Sequence, residues 1–356
     1  MAWLAFLSTV ISGCSPFYVM RAAYEEGKIL WRREPIPEYL AKPDLAPETQ
    51  DKLKLVLAVR DYARDVLKLN VGGSYSSYSY VDRPDLTYIL TAAPRTELQA
   101  YTWWFLIVGR VPYKGYFSKE EAEAAAKELE NAGYDTNIRT SAAFSTLGWF
   151  DDPLLAHLLR YDRVTLAEVV FHELFHNTLY VKGAGAFNES AANFVGGRSA
   201  IDFFGDRFGA ASAEHERAMR AWEQELEFSE FIENLAMSLD ELYASKIPDE
   251  EKLRLRQGVF AQAKETWSET IARHPTHRFR NFAKQPLNNA VIIHYRLYLK
   301  NLKLFEALYD AQGKNLVAAI DAIRGAVANG GEPFEAVQNL LDKGNNPSVV
   351  KTGIME

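Results

Sequence analysis

His172-Glu173-Leu174-Phe175-His176 puts two histidines four residues apart with a glutamate beside the first of them, and Glu189 follows thirteen residues after the second. On a helix, residues four apart share a face, so His172 and His176 can offer two imidazole nitrogens to one metal ion. A catalytic zinc takes three protein ligands and keeps a fourth position for water, and Glu189 is the candidate third ligand. Glu173 then stands beside the metal without binding it. From there a carboxylate can take a proton from the water that attacks a peptide carbonyl and deliver it to the leaving amine. Asn193 follows Glu189 by one turn, which suits a group that orients a ligand by hydrogen bonding. The chemistry expected is peptide hydrolysis with one Zn2+ per chain.

Such a site needs a helix, a turn and a returning helix. Thr165-Leu166-Ala167-Glu168 reads as a capping box that starts the first helix. Leu166, Val169, Val170, Leu174 and Leu179 give it apolar faces, and Gly183 with Gly185 is expected to end it. Phe187 to Asn193 then belong to the returning helix. Upstream, Pro35 to Pro47 mark an irregular connection, Asp51 to Leu69 reads as a helix, and residues 72–115 change texture. There Leu86 to Leu90 and Trp103 to Val108 are β-branched and aromatic runs, hence strands. Tyr75, Tyr78 and Tyr80 read as sheet and loop packing. Ser118 with Glu121 starts a helix that Gly133 stops, and a strand follows at Tyr134 to Thr140. After Gly197 the pattern is helical, with long amphipathic stretches at 210–245 and 250–273. Leu287-Asn288-Asn289-Ala290 opens a further helix.

The expected architecture is one α+β unit, with a mixed sheet region in the N-terminal half and a mainly helical C-terminal half. At 356 residues, 48% hydrophobic, the chain can bury a large core. The formal charge of -7 is modest and the basic residues are scattered, so no phosphate-binding face is marked and nucleic acid is not an expected partner. His274 and His277 are separated by Pro275, which breaks the helical geometry of a second metal pair, and they read as surface residues with His157, His215 and His294.

Residues 1–13 are almost wholly apolar, too short to span a bilayer but suited to the core of a secretory signal. They lead through Ile11-Ser12-Gly13 into Cys14, the chain's single cysteine, and resemble the lipobox of bacterial lipoproteins. That resemblance implies lipidation of Cys14 and membrane attachment through it, and Ser15 favours the outer membrane. No Lys or Arg opens the segment, a departure from an ordinary signal. Residues 14–356 are then the working domain, with helices and sheet in 14–150 and the metal-binding helix and helical region in 151–356.

Several separated motifs in one order carry a wider resemblance: the Cys14 region, Tyr113-Lys114-Gly115-Tyr116-Phe117, Ser145-Thr146-Leu147-Gly148, Asp152-Pro153-Leu154-Leu155, the histidine motif, Tyr180-Val181, Phe187-Asn188-Glu189-Ser190 and Leu287-Asn288-Asn289-Ala290. They resemble the putative aminopeptidase family of Gram-negative bacterial lipoproteins over nearly the whole chain. Phe144 and Lys114 depart from the tyrosine and arginine expected there. The resemblance implies a zincin-like, gluzincin-type metallopeptidase that removes N-terminal residues from peptides and faces the periplasm. In zinc peptidases an edge strand beside the metal helix binds the substrate backbone, and Ala143, Phe144, Ser145, Thr146 and Leu147 are the candidates for it. Tyr298, in the helix after Asn289, is the candidate donor to the oxyanion, with Tyr180, one turn beyond His176, as competitor.

An aminopeptidase also needs an acidic group or a blocked cleft for the substrate amine, and the sequence assigns neither. An envelope endopeptidase or peptidoglycan-peptide amidase uses the same zinc chemistry. A non-catalytic, zinc-bearing binding lipoprotein is the third class. Dependence on peptide length separates the first two, and Glu173→Gln separates both from the third.

Overall fold

The computed structural model describes residue 24 and residues 27–81, 87–105, 109–141 and 151–345. It is an α+β architecture with three small sheets, mainly in the N-terminal half, and helices behind them. In chain order the first elements are β1 (Glu34–Pro35), α1 (Ile36–Leu40), α2 (Pro47–Asp65), β2 (Ser77–Ser79) and β3 (Thr87–Pro94). Next come β4 (Trp103–Phe105), β5 (Gly109–Val111), β6 (Lys114–Tyr116), α3 (Lys119–Asn131), β7 (Tyr134–Ser141) and β8 (Leu154–Leu155). The remaining helices are α4 (Arg163–His176), α5 (Gly185–Phe208), α6 (Ala213–Ala244), α7 (Asp249–Arg273), α8 (Asn289–Leu299), α9 (Leu302–Ala311), α10 (Leu316–Val327) and α11 (Pro333–Asn345).

One sheet is mixed, in the order β1-β2-β8, with β2 and β8 parallel. The second is antiparallel in the order β6-β3-β7, so among the described residues β7 is an edge strand, and β4 pairs with β5 as a hairpin. α3 begins as its residues predict, with the Ser118 hydroxyl accepting from the Glu121 amide, and Gly133 takes φ +90°. α2 starts four residues earlier than the periodicity suggests because Pro47, preset for a helix, opens it.

The large core surrounds α4 and α5, with Leu166, Val170, Phe171, Leu174, Phe194 and Phe203 all at most 1% exposed. A smaller core under the antiparallel sheet joins Leu90, Trp103, Tyr116, Ala122 and Ala126. A buried polar clamp fastens the sheet to the helices. The Asn289 amide nitrogen donates to the carbonyls of Pro94 (2.9 Å) and Glu97 (3.1 Å), its backbone N–H donates to Asp135 (3.0 Å), and its side-chain oxygen accepts from Tyr243 (2.8 Å). Asp135 in turn pairs with Arg256 at 2.7 Å, with both side chains 8% exposed. These bonds fix the β3/β7 surface against α8.

The stretch from Pro35 to Pro47, read as an irregular connection, contains the short helix α1, and further readings need correction. Asp162, not Thr165, caps α4: its carboxylate accepts from the amides of Val164 and Thr165, while Glu168 turns to Arg278 at 3.0 Å. α4 ends at His176, before the glycines, because the next turn is tied to residues 70–74. There Asn70 donates to Thr178 and to the Asn177 carbonyl, and Asn177 donates to Ser74. His157 and His277 are buried, and His294 is partly so. His277 lies edge-on to Trp267 at 5.0 Å and accepts from the Phe279 amide, and burial holds its imidazole below the ordinary value. Tyr75 and Tyr78 are packed as expected, whereas Tyr80 is exposed.

Candidate active site

α4 delivers both imidazoles because His172 and His176 lie one turn apart on it. α5 returns along the same face and brings Glu189. Its entry is held by Asn188, which is buried and both donates to and accepts from the Val181 backbone at 2.8 Å. Further along α5, Gly196 permits close approach to α4: a Cβ there would stand 2.8 Å from the Glu168 carbonyl oxygen and 3.3 Å from His172 Cβ. Neighbouring Gly197 makes the same allowance for Trp222, at 2.4 Å.

The three candidate donor atoms converge. His172 Nε2 and His176 Nε2 are 3.1 Å apart, and Glu189 Oε2 lies 3.2 Å from the first and 3.6 Å from the second. Ligands about 2.0 to 2.1 Å from a tetrahedral zinc stand about 3.3 to 3.4 Å from one another, so the triangle fits that ion. Among the described residues, this is the one group of three such side chains with a metal-like geometry. Asn193 Oδ1 lies 3.0 Å from His172 Nδ1, so a proton on Nδ1 leaves the Nε2 lone pair facing the triangle. The Asn193 amide nitrogen donates to Glu225 and to the Tyr298 carbonyl, which settles its orientation. Burial alone would raise the Glu189 carboxyl, yet His176 and His172 hold it well below the usual carboxylate range.

A cavity of about 230 Å³ opens beside this triangle, lined among others by His172, Glu173, Asn193, Tyr298, Arg139 and Arg278. Glu173 faces the same space as His172, as the chemistry of a proton carrier requires. Tyr298 comes from α8, with its ring centroid 6.4 Å from that of His172. Burial raises its phenol well above the ordinary value, with Arg139 opposing, so the hydroxyl keeps its proton and can donate. Tyr180 is 38% exposed and does not line the cavity, although burial and the charge of Glu189 raise its phenol. Ala143 to Leu147 and Cys14 lie outside the described residues.

Several residues to which the sequence assigned no role in the site belong in or beside it. Arg139 on β7 donates to the Tyr298 hydroxyl oxygen at 2.7 Å. Arg278 bridges Glu168 at 3.0 Å and Glu225 at 2.6 Å, so the route from Arg278 through Glu225 and Asn193 ends on His172. Tyr75 is buried, holds φ +59° in the left-handed region, and has its phenol raised by burial and by the nearby Glu173. His294, one turn before Tyr298, is pushed well below its ordinary value by burial and by Arg139. The glycine pair at 196–197 inside an apolar helix is a signal that could have been read, since such glycines usually mark close packing.

The family model described as "Putative aminopeptidase" matches residues 17–330. No curated protein and no solved structure matches the chain.

Proposed function

The chain belongs to the putative aminopeptidase family, and on that premise we propose that it is a zinc metallopeptidase that removes N-terminal residues from peptides in the bacterial cell envelope. The observation that carries the zinc reading is the donor triangle of His172, His176 and Glu189, with Glu173 on the adjoining cavity. A zinc ion held by those three side chains would supply Lewis acidity to a carbonyl and to a water. Glu173 takes the proton of the attacking water and passes it to the leaving amine. Tyr298 donates a hydrogen bond to the developing oxyanion, and Arg139, donating to the same phenol oxygen, leaves the phenolic hydrogen free to point at it. Asn193 holds His172 in the tautomer that turns Nε2 inward.

The envelope location rests on the lipobox-like run before Cys14, which would anchor the chain to the outer membrane, facing the periplasm. Among the described residues, no helix is long and apolar enough to cross a membrane. One observation favours a second reading, an envelope endopeptidase or peptidoglycan-peptide amidase. Of the carboxylates lining the cavity, Glu168 and Glu225 are already paired with Arg278, so neither is free to hold a substrate amine.

The test is the metal content of the purified chain beginning after Cys14, with Glu173→Gln beside it, and cleavage of free-amine and N-blocked peptides by both. Zinc near one per chain in both, with cleavage only by the unmutated protein and only of free-amine peptides, supports the aminopeptidase. Cleavage of blocked peptides moves the assignment to the second reading, and absence of zinc overturns both.

A further inference from the structure

We propose that Arg139 is a binding residue for a substrate carboxylate, so that the cavity selects peptides with an acidic group near the scissile bond. The inference rests on the peptide-hydrolysis reading. Among the lining residues, the Arg278 guanidinium is taken up by Glu168 and Glu225. Arg139 has no such match. No carboxylate lies within 4.0 Å of it among the described residues. Among the described residues, its one side-chain hydrogen bond is to the Tyr298 phenol oxygen, and its Nε is buried without a partner. The guanidinium carbon also lies 5.3 Å from the centre of the Tyr298 ring. The surrounding groups that respond to its charge are Tyr113, Tyr295, Tyr298 and His294, all neutral at pH 7.

A guanidinium carries five donors in a planar fork that matches a carboxylate two bonds at a time. Holding Tyr298 uses one of them. A buried donor left unpaired is costly, and a charged one more so, which makes the remaining face of Arg139 a place where an incoming carboxylate gains more than it would in water. The position is also right: Arg139 is one tyrosine away from His172 and lines the same cavity as Glu173. A peptide whose acidic group docks there lays its adjoining peptide bond across the cavity. The acid can come from a free C-terminus or from an acidic side chain.

Binding on a protein that cannot turn over separates this proposal from the peptidase reading. Zinc-loaded Glu173→Gln is titrated calorimetrically with trialanine, with trialanine amide, and with alanyl-glutamyl-alanine amide, and the series is repeated in Glu173→Gln/Arg139→Gln. At least about tenfold tighter binding of an acidic peptide than of trialanine amide is expected, and it should vanish without Arg139. Preference for trialanine assigns the C-terminus, and preference for the glutamyl peptide assigns the side chain. Zinc content and melting temperature verify that the double variant is folded, and Arg139→Lys, which keeps charge without the fork, should retain only part of the preference. Equal binding of all three peptides, no binding of either acidic peptide, or a preference that survives Arg139→Gln overturns the proposal. Failure of the unmutated protein to cleave any peptide would instead remove the peptidase reading.

Discussion

Gly196→Ala tests whether the spacing of α4 and α5 sets the donor triangle. The new Cβ would meet the Glu168 carbonyl oxygen at 2.8 Å, where ordinary contact begins at 3.4 Å, so the helices must part by about 0.6 Å (3.4 − 2.8). The atoms met are the Glu168 carbonyl oxygen, the His172 nitrogen and the His172 Cβ fixed to the helix, so no flexible side chain can give way. The same α5 carries Glu189 and Asn193, whose contacts to His172 are 3.2 and 3.0 Å, so a shift of that size stretches both at once. Overpacking of this kind costs about 1 to 3 kcal/mol, and loss of ligand orientation lowers metal affinity about 10- to 100-fold. Gly325→Ala is the matched control: Gly325 lies inside α10 with no atom within 4 Å of the place its new Cβ would take, and the change should stabilise by about 0.5 to 1 kcal/mol. Zinc affinity by competition with a chromogenic chelator and stability by urea unfolding read the two effects. Wild-type zinc affinity in a folded Gly196→Ala protein would show that the α4–α5 spacing does not set the donor triangle.

Asn193→Ala removes the partner of His172 Nδ1 and should weaken zinc about 10- to 100-fold in the same competition assay, with little change in the far-ultraviolet circular dichroism. Arg278→Met leaves Glu168 and Glu225, with side chains 11% and 12% exposed, close together without a counter-charge. It should lose about 3 kcal/mol in urea unfolding, a loss that Glu225→Gln partly restores. Burial and then Asp206 raise the Asp202 carboxyl from 3.8 to about 6, so the native state holds that proton more tightly than the unfolded chain. Stability therefore falls as pH rises from about 4 to 6 and the penalty persists above 6. The full rise corresponds to roughly 3 kcal/mol, and partial solvent access reduces it to about 1 kcal/mol. Asp202→Asn should raise the melting temperature by about 1 °C at pH 7.5 and leave it unchanged near pH 3.5.

The donor set was legible because its chemistry and its helical period lie within a short contiguous stretch, from Asp162 to Asn193. The exact ends of α4 were decided by a choice between two local caps at its start and by distant contacts at its end. Thr165 and Asp162 are rival caps three residues apart, and the Thr165 hydroxyl itself donates to Asp162 at 2.9 Å. Glu168, the other half of the expected capping box, is drawn off by an arginine 110 residues away. His277 lies beside a proline in a polar stretch, and only the chain reversal after α7 lays it against Trp267. Arg139 and Tyr298, 159 residues apart, meet through tertiary structure alone. No periodicity along β7 distinguishes Arg139 from its neighbours.

That meeting explains what the sheet contributes to the site. The Asn289 clamp pins the start of α8 to the turn after β3 and, through Asp135, to the start of β7. Asn288 adds a bond from its amide to the Thr136 carbonyl at 2.9 Å. From those fixed starts, α8 runs on to Tyr298 and β7 to Arg139, and the two side chains rejoin at 2.7 Å over the cavity. Two elements tied at both ends leave little freedom between them. On the proposed zinc reading, α4 and α5 would set where a carbonyl is polarised, and the clamped pair would set where its oxygen and a neighbouring carboxylate are received. It follows from that proposal that the two halves can be disturbed separately: changes at Gly196 or Asn193 should lower zinc affinity, whereas changes at Asn289 or Arg139 should weaken peptide binding and leave zinc content unchanged.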